Sequence, residues 1–145
     1  MKKLIKKTLI ILLASFCLFK VERIQSVVPY YFYPTRNNLE KESLSISKKA
    51  YQLLYFGQFE ESLNLARLAA KINTKNEKIW LILSEIQLAN KLYKEALNSL
   101  NKAQEINSKS SEIYFAKSNI YFKISELKNA KIALKAGLKI DPDNH

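Results

Sequence analysis

The stretch EKIWLILSEIQLANKLYKEALNSLNKAQEINSKS, residues 77–110, establishes a period to which the sequence on either side can be aligned. Large and small side chains alternate in it at helical spacing, with Trp80 one turn before Ser84 and Tyr93 shortly before Ala96. This spacing predicts two amphipathic helices joined by a short turn. One helix pair cannot bury its own apolar faces, so we expect similar pairs beside it.

The pattern recurs on both sides without insertion, so that three units of the same length start at Ser43, Glu77 and Ser111. Small residues at positions 8, 20 and 27 of the units allow two helices to approach, while large residues at positions 4 and 17, and at position 24 of the second and third units, fill the space between them. Six helices are therefore predicted, at about Glu42–Phe56, Phe59–Ile72, Asn76–Asn90, Tyr93–Ile106, Ser110–Ile124 and Leu127–Ile140.

These aligned positions resemble the tetratricopeptide repeat, in which each unit is a helix-turn-helix pair. The resemblance implies an all-α fold, an α-solenoid of three tandem repeats at 43–76, 77–110 and 111–144, preceded by an N-terminal apolar helix. It also implies a non-catalytic scaffold for protein–protein interaction, because stacked repeats form an extended concave surface.

Several positions depart from the family pattern. Gly57 occupies the turn position of the first unit, whereas Lys91 and Ser125 occupy it in the other two. Lys49 and Lys117 stand at position 7, which is usually apolar. The outer repeats are thus less regular than the middle one, as is common where one face of an array meets water.

Residues 1–24 consist of a basic flank and an apolar run, and the run from Thr8 to Phe19 carries no charge. An uncleaved membrane anchor over Leu4 to Val21 is favoured, because no small-x-small cleavage motif follows the run. A cleaved signal peptide is the alternative, and a segment this short can also lie in the membrane interface without crossing it. An aromatic and polar linker is expected at residues 25–42.

The chain has 24 basic and 13 acidic side chains, which gives a net charge of +11. Such a charge suits an anionic membrane surface or a nucleic acid. Nucleic acid is not favoured, because most lysines of the repeats are interleaved with glutamate and asparagine, as on a solvated helix face. A basic RNA-binding module is the remaining alternative. On the last helix we expect a solvated polar cap formed by Lys128, Lys131, Lys135 and Lys139.

Catalysis and metal binding find no support in the sequence. Cys17 and His145 are the single cysteine and the single histidine, so neither an internal disulfide nor a Cys/His metal cluster can form. No phosphate-binding loop, nucleophile elbow or zinc-protease motif is present. We expect no enzyme, no cofactor, no metal and no small-molecule substrate.

The resemblance implies that the first helices of the repeats line a concave groove suited to an extended or helical segment of another protein. Trp80 is expected at the packing centre of the array instead. Helical periodicity alone does not distinguish groove from core. The candidate groove residues are Tyr51, Leu54, Tyr55, Leu81, Glu85, Leu88, Phe115, Asn119 and Phe122.

The whole architecture, with its apolar N-terminal segment and three repeats, resembles the plastid and cyanobacterial tetratricopeptide proteins linked to photosystem I assembly. That resemblance implies attachment to the thylakoid membrane and binding to a subunit of a membrane complex. An exported bacterial tetratricopeptide binding protein, at the inner membrane or in the periplasm, is the alternative.

Overall fold

The structure, a computed structural model, describes residues 36–143. The predicted anchor at residues 1–24 and the aromatic part of the linker lie outside the described residues. The described part consists of six helices without a strand. They are α1 (Arg36–Tyr55), α2 (Phe59–Ile72), α3 (Glu77–Ala89), α4 (Tyr93–Ile106), α5 (Ser111–Lys123) and α6 (Leu127–Ile140).

The helices form three pairs, α1 with α2, α3 with α4, and α5 with α6. The pairs stack in chain order, since α3 contacts both helices of the first pair and α5 contacts both helices of the second. The first helices of the pairs therefore follow one another along one side of the stack. This confirms the predicted all-α solenoid of helix pairs.

The first helix begins at Arg36, earlier than the predicted start near Glu42. The additional turns are held from outside the helix: Asn73, just after α2, donates a hydrogen bond from Nδ2 to the Glu40 carbonyl at 3.1 Å. The polar residues 36–41 carry no apolar period, so their local pattern could not indicate this tertiary contact.

All three turns within the pairs share one backbone geometry. Gly57, Lys91 and Ser125 have φ values of 76°, 60° and 63°, in the left-handed region. In the second turn the amide of Lys91 donates to Leu88 and the amide of Leu92 donates to Gln87, which is the Schellman arrangement that ends a helix. Lys91 and Ser125 thus adopt the same left-handed backbone conformation as Gly57.

The core runs through the middle pair and joins it to both neighbours. Ile79 and Ile86 of α3, Leu100 of α4, and Ile113 and Ile120 of α5 are almost completely buried in one continuous cluster. Burying a side chain of this kind stabilises the fold by about 1.5–3 kcal/mol. The middle pair is therefore the part of the array that has apolar neighbours on both sides.

Trp80 belongs to this core, as predicted. Its indole Nε1 donates a hydrogen bond to the Thr74 carbonyl at 3.0 Å, and the Lys102 ammonium lies 4.4 Å from the ring centroid. The ring thus joins the loop before α3 to the last turn of α4. Its polar atom is satisfied within the protein, which leaves it a packing role.

The four lysines of α6 lie on a solvated face, as predicted, but the exposed surface of this helix is not purely polar. Its four lysines are exposed, but so are Leu127, Ile132, Leu134 and Ile140 on the same helix. In the described residues no further helix follows to cover them. The outer face of α6 is therefore both apolar and basic.

Candidate protein-binding groove

Glu85 is a candidate groove residue on α3, the middle one of the three first helices. The Tyr51 hydroxyl of α1 lies near enough to the Glu85 carboxylate to stabilise its charge, and the Glu112 carboxylate of α5 lies near enough to repel it. Three consecutive first helices thus each contribute one polar group to the same surface. The stacking of α1, α3 and α5 is what brings these groups together.

Burial raises the pKa of Glu85 above its ordinary range. The negative charge of Glu112 raises that pKa further, while the hydrogen bond from Tyr51 opposes both effects. A carboxylate held in this way is incompletely compensated when it is ionised. A positively charged side chain of a ligand would compensate it.

A cavity of about 290 Å³ lies between α3 and α5, beside Glu85. It brings together four of the predicted groove residues, Glu85, Leu88, Phe115 and Asn119. The rest of its lining is small or apolar except for Glu112, so the two carboxylates are its only charged groups among the described residues. The complete lining is Ser84, Glu85, Leu88, Glu112, Phe115, Ala116, Asn119 and Ile120.

Glu112 was not among the nine candidate residues. It occupies the first turn of α5, where a carboxylate is commonly explained by its interaction with the helix dipole. Its place at a groove-facing position of the repeat was the one signal that could have identified it. Only the packing of α5 against α3 shows that it faces Glu85.

The other candidates differ in how much surface they offer. Tyr55 is 87% exposed and Phe122 is 67% exposed, and Tyr51 is also exposed, whereas Leu54 is half-buried. Leu81 is a correction to the sequence prediction, because it is only 5% exposed and packs in the core. Its helical position was compatible with both groove and core, and its burial places it in the core cluster.

Phe115 is also less free than its position suggested. A methyl group placed on Gly137 of α6 would lie 2.7 Å from Cε1 of the Phe115 ring. The ring therefore occupies space that exists because residue 137 has no side chain. Phe115 forms a wall of the groove and at the same time packs α5 onto α6.

The seam between α4 and α5 holds a polar network where an apolar contact was expected. The Lys117 ammonium donates hydrogen bonds to Oδ1 of Asn101 at 2.7 Å and to Oε1 of Gln104. Gln104 in turn donates from Nε2 to the Tyr114 hydroxyl at 3.1 Å. Burial lowers the pKa of Lys117, but the two amide oxygens accommodate its charge. This explains how a lysine replaces the usual apolar residue at position 7.

The described residues contain no group of histidine, cysteine, aspartate and glutamate side chains that could hold a metal ion. Within the same residues, none of the helices combines the length and the apolar character that crossing a membrane requires.

Residues 77–110 and 111–144 each match the model of the tetratricopeptide repeat. The described chain is a solenoid of tetratricopeptide-like repeats. The first helix pair adopts the same arrangement and extends the repeat series toward the N-terminus. A search of the curated protein sequences found no significant match.

Solved structures with the same fold include several tetratricopeptide domains. The tetratricopeptide domain of Arabidopsis OM64 has a TM-score of 0.67 at 19% identity, over 73% of this chain and 88% of that chain. The first such domain of Spaghetti (RPAP3), bound to the HSP90 peptide SRMEEVD, has a TM-score of 0.67 at 17% identity, over 72% and 83%. The Yersinia enterocolitica secretion chaperone SycD, in complex with a peptide of the translocator YopD, has a TM-score of 0.64 at 15% identity, over 69% and 76%. At these identities the likeness concerns the fold alone.

Proposed function

We propose that the protein is a non-catalytic scaffold that holds a segment of a partner protein along the groove formed by α1, α3 and α5. The observation that carries this proposal is the cavity between α3 and α5, where two carboxylates stand beside Leu88 and Phe115. Exposed Tyr51 and Tyr55 extend the same side with large, amphipathic contact surface. Aromatic side chains around a charged cavity suit a peptide with alternating apolar and charged residues.

The partner segment carries a lysine or arginine side chain that enters this cavity. The chain has a net charge of +11, but the charged side chains that line this cavity are two carboxylates, so the cavity is locally acidic. A guanidinium or ammonium group between them would form charge-assisted hydrogen bonds and relieve the repulsion between Glu85 and Glu112. The proposed segment is basic, whereas the peptide SRMEEVD bound to the structural neighbour RPAP3 is acidic.

The partner is a subunit of a membrane complex that the scaffold helps to assemble or stabilise, with photosystem I of the thylakoid as the proposed complex. Support comes from the apolar segment at residues 1–24 and from the resemblance of the whole architecture to photosystem I assembly proteins. Leu4 to Val21 would tether the repeats to the membrane where that assembly occurs.

Site-specific photocrosslinking in the full-length protein tests the proposed groove. A photoreactive residue at Tyr55, which is highly exposed, should capture one defined protein. The same residue at Leu68, exposed on the second helix α2, is the matched control and should not capture it. Glu85→Lys should abolish the capture at Tyr55, while Glu60→Lys on α2 should leave it unchanged. Equal capture from both positions, or capture that Glu85→Lys leaves intact, would reject the groove.

The identity of the captured protein tests the proposed complex. A photosystem I subunit, or an assembly intermediate that contains one, is expected. A partner unrelated to any membrane complex would refute this part of the proposal. The tether is tested by sedimentation with membranes, where resistance to high salt is expected and release by salt would contradict an inserted anchor.

A further inference from the structure

The end of the array carries a second cavity, of about 440 Å³, between α5 and α6. We call it the terminal trough. Phe122, Leu127 and Leu134 are exposed along it, and Lys131 is its one charged side chain among the described residues. It shares some residues with the end of the groove, but it opens between α5 and α6. Its lining is Phe115, Ser118, Asn119, Phe122, Leu127, Ala130, Lys131 and Leu134.

The repeat period shows what a surface of this shape accommodates. Leu100 in the second repeat stands one period before Leu134; it is completely buried, whereas Leu134 is 43% exposed. Leu88 likewise stands one period before Phe122 and is half-buried, whereas Phe122 is exposed. The second repeat differs because α5 packs against α3 and α4. The terminal trough is therefore shaped for one more helix, placed as α5 is placed on the second repeat.

Lys131 in the trough and Lys135 beside it on α6 specify the chemistry of that helix. Lys131 stands where the second repeat has the apolar Leu97, and Lys135 stands where it has the neutral Asn101. In the second repeat, Asn101 accepts a hydrogen bond from Lys117 of the incoming helix. At the end of the array, the residue that takes the place of Lys117 would instead meet the ammonium of Lys135. Acidic side chains on the docked helix satisfy both lysines.

A second copy of the chain is a poor occupant for the same reason. Stacking a copy end to end would place its α1 in the trough, with the exposed Lys49 at the position that α5 fills with Lys117. Two lysines would then face each other in a contact between molecules that each carry a net charge of +11. Like charges opposed in this way disfavour association.

We propose that the terminal trough binds an acidic amphipathic helix of a partner protein, docked where the first helix of a following repeat would lie. Its apolar face contacts Phe122, Leu127 and Leu134, and its carboxylates pair with Lys131 and Lys135. This surface adjoins the Glu85 cavity, with which it shares Phe115 and Asn119, but its charged side chain is a lysine where that cavity has two carboxylates.

The probe for this proposal is a hydrocarbon-stapled peptide of residues 110–125, which contains α5 and its flanking residues, with Lys117→Glu. The staple is needed because a free helix of this length is marginal in water. Fluorescence anisotropy with the full-length protein should show binding about fivefold tighter than that of the same peptide with Lys117 retained. Lys135→Glu in the protein should reverse this preference, and Lys94→Glu on α4 should not.

Leu134→Asp should weaken peptide binding by about tenfold or more, because it places a carboxylate in the apolar part of the trough. Leu68→Asp changes an equally exposed leucine outside the trough and should have no effect. Both positions are on the surface, so circular dichroism should show folded proteins. Glu85→Lys should also leave peptide binding intact, which separates this proposal from the groove.

Three results would overturn the proposal. Equal affinity for the two peptides, or no binding of either, would mean that the trough does not select an acidic helix. A dimer in sedimentation that Leu134→Asp dissociates would assign the trough to a second copy. A single-stranded RNA 12-mer that displaces the peptide, and whose own binding Lys131→Glu and Lys135→Glu abolish, would assign the surface to nucleic acid.

Discussion

The second and third repeats have the same period and nearly the same pattern of large and small residues, but they differ in burial. In the second repeat, which has a helix pair on each side, Leu81 and Leu100 are buried in the core cluster. In the third, Leu134 at the position of Leu100 remains exposed to water. Whether a side chain at a given repeat position is buried thus depends on whether another repeat packs against its own.

The two contacts between successive repeats use different chemistry at the same repeat position. Leu83 of α3 is buried where it meets the first repeat, whereas Lys117 of α5 meets the second repeat through two side-chain amides. A seam can therefore be apolar or polar as long as its buried groups are satisfied.

The largest difference is expected between Leu100→Ala and Leu134→Ala. Truncating buried Leu100 leaves a cavity and should lower the free energy of unfolding by about 2–5 kcal/mol. Truncating Leu134 removes a side chain that is already partly in water and should cost less than about 1 kcal/mol. Urea denaturation measures both values. Equal losses would show that an additional element covers Leu134 in solution.

The next effect concerns the pair Phe115 and Gly137, which occupy the positions of Leu81 and Ala103 in the second repeat. Gly137→Ala alone forces a methyl group into the Phe115 ring, an overpacking cost of about 1–3 kcal/mol. In a Phe115→Leu background that clash is removed, and alanine should stabilise the helix by about 1 kcal/mol. A double-mutant cycle should give a coupling of about 1–3 kcal/mol. Additive effects would refute the contact.

A smaller effect is expected at the turns within the pairs. Lys91→Gly and Ser125→Gly should each raise the free energy of unfolding by about 0.5–1 kcal/mol, because both residues hold a left-handed φ that glycine adopts without strain. Gly57→Ala should lower it by a similar amount, although no other atom would touch the added methyl group. Thermal and urea unfolding measure the three changes, and a loss on introducing glycine would contradict the interpretation.

The smallest effect is a dependence on pH. Because the pKa of Glu85 is raised by folding, the native state binds more protons than the unfolded state just above the ordinary glutamate pKa. Stability relative to Glu85→Gln should therefore fall as the pH rises through that window and should level off above the raised pKa. Glu112→Gln should reduce this fall in stability, because it removes the negative charge that helps to raise the pKa of Glu85. Urea midpoints between about pH 4 and pH 7 measure it, and parallel curves for wild type and Glu85→Gln would contradict it.

The sequence alone determined the fold class and most of the helix boundaries of this protein. Large and small residues recur at one period, and helix pairs with that pattern bury their apolar faces only by stacking. The predicted bounds of α2, α4 and α6 coincide with the observed ones, because strongly periodic apolar positions begin and end there. The local pattern failed at α1, whose first turns depend on the distant side chain of Asn73.

The tertiary structure decided which apolar residues are surface and which are core. Leu81, Leu88 and Leu134 are all leucines at regular positions of amphipathic helices, and only the helices packed beside them determine their exposure. In the same way, Glu85 and Glu112 are ordinary acidic residues in sequence and become one charged cavity when α5 packs against α3. Periodicity identifies which face of a helix is apolar, but what covers that face depends on contacts between residues far apart in the chain.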